Sequence, residues 1–206
     1  MLAPALTPRE IAAVLTEDAR LHRFTVETFL GMMASGVFAK NERVELLEGW
    51  VVEKMAVNPA HVSVQRRLTA WLNRVVTAGW FADKEQPIIL LNSLPIADVA
   101  VMRGEWNDYD HRHPEAFDIG LVIEVLDSTV ASDRKNKCAL YAAAGVARMW
   151  LVSVPDRTIE VGSNPNQDEK CYDSLVTYSA DQHVPLVIDG VTIASIRVAD
   201  VLPGVT

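Results

Sequence analysis

Two cysteines in 206 residues, Cys138 and Cys171, are too few for a disulfide framework or a cysteine zinc cluster. Cysteine this sparse suits a reducing compartment, and a cytoplasmic location is expected. Long apolar runs are missing as well. None approaches the roughly 18 residues that span a bilayer, so no membrane partner is expected. The opening MLAPALTPRE lacks a basic stretch followed by an apolar core, and no signal peptide is read there. Nor is there an excess of positive charge: 19 Lys and Arg against 27 Asp and Glu leave a formal net charge of −8. That balance argues against broad non-specific nucleic-acid binding by a basic surface. It does not exclude an enzyme whose site is built from carboxylates and borrows positive charge from a metal.

What the chain does have is apolar residues, 50% of the total, enough for one domain with a sizeable core. The organising stretch is IGLVIEVLDSTVASDRKNKCALY, from Ile119 to Tyr141. Its first eight residues form a short, β-branched apolar run, the pattern of a strand buried on both faces. One carboxylate, Glu124, interrupts that run and needs a partner, because desolvating an unpaired charge is costly. A metal ion or a buried Lys or Arg could provide one. Downstream, Ser132 can cap a helix on which Asp133, Lys137 and Tyr141 recur every fourth residue and so share a face.

The remaining pattern is α/β with a mixed sheet, not a regular βαβ series. Thr7-Pro8-Arg9-Glu10 has capping-box form and predicts a helix over about 8 to 20. A second helix starts at Thr25 and ends at Gly36, and ERVELLEGWVVEKM reads as a hairpin turning at Glu48-Gly49. Glu45 is the functional candidate in that hairpin, although pattern alone favours an ordinary solvent-facing strand glutamate over it. After Asn58-Pro59 the apolar stripe Val64, Leu68, Trp71, Leu72, Val75 and Val76 predicts a helix to about Ala78, closed by Gly79. Arg66, Arg67 and Arg74 lie off that stripe, facing phosphates or simply water. In its first turn, His61 suits a neutral, hydrogen-bonding role, since the helix dipole disfavours a cation there. Strands follow near Trp80 to Leu91 and Val99 to Met102, with Asp98 where the second begins. The loop Arg103 to Asp118 carries His111-Arg112-His113, a His-x-His pair with no third ligand at hand. Further strands are read at Arg148 to Val154 and Thr158 to Val161, then hairpins over about 170 to 200.

Glu45, Asp98, Glu124 and Lys137 are weak signals singly, but their order is suggestive. Carboxylates on two neighbouring strands could hold one or two hard cations through oxygen, and a nearby lysine could steady charge on phosphorus. The segments RVELLEGWVVEKM, PAH at 59 to 61, QPI at 86 to 88, PIADVAVM, HPEAFDIGLVIEVLDST and DRKNKCALYAAAGVARMWLV carry a resemblance. The chain resembles, from about Phe24 to Pro203, a bacterial family described as "putative restriction endonuclease", of the PD-(D/E)XK nuclease superfamily. Residues 1–23 are then an N-terminal helical extension and 24–206 the nuclease-like domain.

The resemblance implies a restriction-endonuclease-like mixed sheet flanked by helices, with extra β-hairpins. It implies Asp98 and Glu124 as metal ligands for Mg²⁺ or Mn²⁺, Glu45 as an added acidic residue, and Lys137 as the lysine, supplied from the helix instead of from position 126. His61 and Tyr141 match supporting positions. DNA as substrate and a homodimer follow as expectations. The chain departs from the family pattern at Ala97 before Asp98, at Asp127 after EVL, and at Ser153 after WLV, none of them a proposed ligand. Two other readings stay open: a catalytically silent binding module of the same fold, and a metal-dependent hydrolase of a small phosphoester. Without the resemblance, a plain Glu124–Lys137 ion pair with Asp133 capping the helix accounts for much of the central stretch.

Overall fold

A computed structural model describes residue 11 and residues 20–39, 42–54, 58–126 and 131–204, with side chains from 134 onward in the last segment. The helix expected over 8 to 20, Asp127, and the side chains of Ser132 and Asp133 lie outside what is described.

Helix α1 (Val26–Ala34) starts as its sequence predicts. The Thr25 side chain accepts from Thr28 N at its N-terminus, and Gly36 takes φ +72 past its end. The hairpin β1 (Val44–Leu47) and β2 (Trp50–Glu53) turns on Glu48 and Gly49, both at positive φ, 50° and 84°. That pair of left-handed residues matches the twist of the two strands. Leu46 docks the hairpin on the chain ahead of Ile96, exchanging backbone bonds with Leu94 at 3.3 and 2.7 Å.

Helix α2 (Pro59–Val75) begins where Asn58 caps it, and its stripe of Val64, Leu68 and Leu72 is fully buried. It ends before the predicted Ala78. Val75, Val76 and Thr77 are consecutive β-branched residues that lose side-chain freedom in a helix, and Val76 is already extended. Gly79, at φ +86, serves the turn into the strand that starts at Trp80 instead of closing the helix.

The core sheet has the order β3-β4-β5-β6-β7-β8, from β3 (Trp80–Pro87), β4 (Ile96–Arg103), β5 (Ile119–Leu126), β6 (Arg148–Ser153), β7 (Thr158–Asn166) and β8 (Cys171–Ser179). Only β5 and β6 run parallel, joined by helix α3 (Ala131–Ala143) as a parallel pair requires. The central strands β4, β5 and β6 are buried on both faces. Alternate residues Leu121, Ile123 and Val125 pack with α2, while Val122 joins the cluster of Leu140 and Tyr141 from α3. Gly120 interrupts the apolar run because an added Cβ would lie 2.7 Å from the Trp80 ring. A second hairpin, β9 (His183–Ile188) with β10 (Val191–Arg197), leads into the short α4 (Val198–Val201) and covers the α2 side.

Three strand boundaries also differ from the sequence pattern. Strand β3 stops at Pro87, which has no N–H to continue a ladder; Ile89 and Leu90 make only isolated bridges. Strand β4 begins at Ile96, so Asp98 lies inside it, third in the strand and not ahead of it. Strand β7 runs on to Asn166, and β8 pairs with it at the edge of the main sheet.

Candidate active site

Five elements converge at the C-terminal end of β5: the β1–β2 hairpin, the first turns of α2, the start of β4, β5 itself and the middle of α3. The register places Val99 opposite Ile123, which sets Asp98 across from Glu124 as the ladder continues. Glu45, Asp98 and Glu124 are 6%, 2% and 3% exposed, so Glu45 is not the solvent-facing residue its local pattern suggests.

Asp98 is held on every side. Its Oδ2 accepts from Val125 N at 2.8 Å and lies 3.2 Å from His61 Nε2. Its Oδ1 accepts from Lys54 Nζ at 3.0 Å and Gln65 Nε2 at 3.3 Å. Burial alone would raise this carboxyl, but His61, the Lys54 charge and the Val125 N–H outweigh it and hold Asp98 well below the usual carboxylate range.

Glu124 has the opposite balance. Its Oε1 accepts from Tyr141 Oη at 2.5 Å and Lys137 Nζ at 3.3 Å. Burial dominates and pushes it up to about 7; Lys137, Lys54 and Tyr141 offset burial only in part, and the charge of Asp98 adds to it. Burial lowers Lys137, yet the carboxylates of Glu124, Glu45 and Asp98 more than compensate and keep it firmly cationic. Tyr141 is pushed well above its ordinary range by burial and the adjoining Glu124. One carboxylate kept ionised beside another that holds a proton near neutrality is the environment pattern of acid–base sites. Glu45 completes the ring: its Oε2 accepts from Ile96 N at 3.0 Å and its Oε1 lies 3.8 Å from Lys137.

All six residues singled out from the sequence are therefore brought together. Lys137 and Tyr141, one helical turn apart on α3, both reach Glu124 as their spacing requires. Lys54 and Gln65 were not read from the sequence. A signal existed for each. The pleat places Lys54, two residues after the Glu45 partner Val52, on the Glu45 face of the hairpin. Gln65 follows His61 by four and is a polar residue on a buried helical stripe. The His-x-His loop takes no part. His111 is exposed, Arg112 pairs with Asp118 at 2.6 Å, and burial lowers His113.

The donor chemistry of the cluster suits a hard divalent cation: Glu45, Asp98 and Glu124 offer carboxylate oxygens and no thiolate is near. Among the described residues, however, no three His, Cys, Asp or Glu side chains stand as a ready-made metal cage. Lys137 lies between Glu124 and Glu45, and Lys54 against Asp98, in the role a cation would take.

A solved structure of a "putative nuclease" from Anabaena variabilis, from a domain family of unknown function, is similar to this chain. It has a TM-score of 0.64 at 16% identity, covering 86% of this chain and 97% of that one. At that identity the likeness is one of fold. No curated protein matches. Residues 26–195 match the profile of the family described as "Putative restriction endonuclease". By that match over most of its length, the chain belongs to this restriction-endonuclease family.

Proposed function

We propose that the protein is a metal-dependent endonuclease that hydrolyses DNA phosphodiester bonds at the Asp98–Glu124 site. The observation that carries this reading is the convergence of two buried carboxylates on adjacent strands with a cationic Lys137 between Glu124 and Glu45. Asp98 and Glu124 would hold Mg²⁺ or Mn²⁺, which when bound would polarise a phosphoryl oxygen and lower the pKa of a water.

The protein's own groups have separable tasks. Lys137 offers a fixed positive charge to an anionic centre in a site with little water, where such a charge is worth most. Tyr141 fixes the rotamer of Glu124, and His61, Gln65 and the Val125 N–H fix that of Asp98. Glu45 ties the β1–β2 hairpin to Lys137 and to the Ile96 amide. A homodimer would supply one site per strand of a duplex, and sedimentation in solution measures it.

A second reading is a silent module of the same fold. The full complement of donors on Asp98 favours it, because a carboxylate satisfied by protein groups can be purely structural. Cleavage of supercoiled plasmid with Mg²⁺ or Mn²⁺ separates the two. Wild type should nick and linearise, while Asp98→Ala and Lys137→Ala should each lose about a hundredfold or more in rate with folding retained. A wild type that leaves plasmid intact with either metal would hand the case to the silent module.

A further inference from the structure

The donors around Asp98 are not equivalent. The Val125 N–H belongs to a strand, His61 and Gln65 sit on successive turns of α2, and all three are fixed by secondary structure. Lys54 is different. It lies just beyond the end of β2, and a four-carbon stem carries its ammonium to Asp98 Oδ1 at 3.0 Å and the Ile96 carbonyl at 2.5 Å. Its side chain is 10% exposed, so the ion pair is largely dry. Lys54 is thus a cation held by one carboxylate oxygen and one backbone carbonyl, a donor set equally suited to a hard metal ion.

Charge counting distinguishes the two lysines. When ionised, Glu45, Asp98 and Glu124 carry three negative charges against two on Lys54 and Lys137. A divalent ion added with both lysines in place would leave four positive charges against three negative; with one lysine gone the cluster is neutral. Lys137 faces Glu124 at 3.3 Å and Glu45 at 3.8 Å, whereas Lys54 faces the single carboxylate of Asp98. Lys54 is the one that can leave at lower cost.

We propose that Lys54 is the resident counter-ion of Asp98 and that a divalent metal binds by displacing it, so that Lys54 sets the metal affinity of the site. This rests on the metal-dependent reading above. Lys54 is a positioning residue in this role: it holds Asp98 in a binding-ready rotamer and stops a buried carboxylate from standing unpaired when no metal is present.

Two measurements on the full chain test it. Calorimetric titration with Mn²⁺ should give a Kd about tenfold lower or more for Lys54→Met than for wild type, because the competing cation is gone. Lys54→Arg, which keeps the charge, should show no gain, and Asp98→Asn should abolish binding. Acetylation of wild-type lysines, read by mass spectrometry, should become faster at Lys54 when Mn²⁺ is added, and should not change in Asp98→Asn. This second arm needs no Lys54 variant to fold, and a general charge effect at a distance would not produce it. Mn²⁺ binding that depends on Asp98 but leaves Lys54 reactivity unchanged or lowered would overturn the displacement while sparing the metal site. So would an unchanged affinity in a folded Lys54→Met. If wild type binds no Mn²⁺, the metal-dependent reading fails and this inference with it.

Discussion

Glu124 is held by two donors of different kinds, and removing each should leave a different mark. Tyr141→Phe deletes the 2.5 Å hydroxyl bond while keeping the ring packed, and should cost about 1.5–3 kcal/mol, the range for bonds to charged groups. Lys137→Ala removes the cation from a buried pair and should cost about 3–5 kcal/mol. Urea unfolding at fixed pH measures both, and equal losses would mean that Glu124 is held mainly as a neutral acid. The pH dependence is a separate check. The folded value for Glu124, about 7, lies above its ordinary 4.5, so the proton on Glu124 favours the folded state. That contribution is fully present below about pH 4.5 and lost as pH rises through 7. Asp98 works in the opposite sense: its lowered value contributes stability above the ordinary carboxylate range, lost as pH falls. Glu124→Gln should therefore flatten the fall in stability between pH 4.5 and 7 and leave the acid limb unchanged. A urea midpoint measured across that window in both proteins shows whether it does.

The β1–β2 hairpin is the element on which the site most depends, because it delivers both Glu45 and Lys54. Its turn is built on Gly49, where φ is 84° and an added Cβ would lie 2.8 Å from Arg23 Cβ and 3.1 Å from the Phe24 carbonyl. Gly49→Ala should therefore cost about 1–2 kcal/mol from the backbone alone, with the clash in addition. Residual activity should fall further than global stability, measured as plasmid cleavage and thermal midpoint on the same preparation. The hairpin also illustrates what a sequence can disclose. The Glu48-Gly49 turn was legible because a glycine, free to take positive φ, stands between two alternating apolar runs. The burial of Glu45 was not, since it follows from docking against Leu94 and Ile96, some fifty residues away. The same holds for β8, whose extent is set by pairing with β7 along the sheet and not by its own weak periodicity. On α3, by contrast, Lys137 and Tyr141 were legible together, because four-residue spacing fixes a shared face before any tertiary contact is known. The local signal for Lys54 is weak, because most lysines at a strand end are solvated.

A net charge of −8 makes the distribution of positive charge the larger question for any polyanion partner. The described surface concentrates some of it in one groove of about 480 Å³ beside the later turns of α2, lined by Arg67, Arg74, His183 and Arg197 with Trp71 at its wall. Asp200 sits there too, 3.4 Å from Arg197 Nε, and Arg67 is committed to the Leu202 carbonyl at 3.0 Å. Among the described residues Arg74 has no such tie, and it stands on the same helix that presents His61 and Gln65 to Asp98. A duplex bound at the site and following α2 would meet Arg74 and Arg197 with its phosphates. Each neutralised phosphate adds about 0.9 to the slope of log affinity against log salt. Arg74→Glu with Arg197→Glu should thus reduce that slope by about 2, weakening DNA uniformly across sequences. Metal affinity at Asp98 should stay as in wild type, since neither arginine touches the carboxylate cluster. Fluorescence anisotropy with a labelled duplex in Ca²⁺, at several salt concentrations, gives the slope directly. A slope unchanged in the double variant would move the DNA path off the later turns of α2.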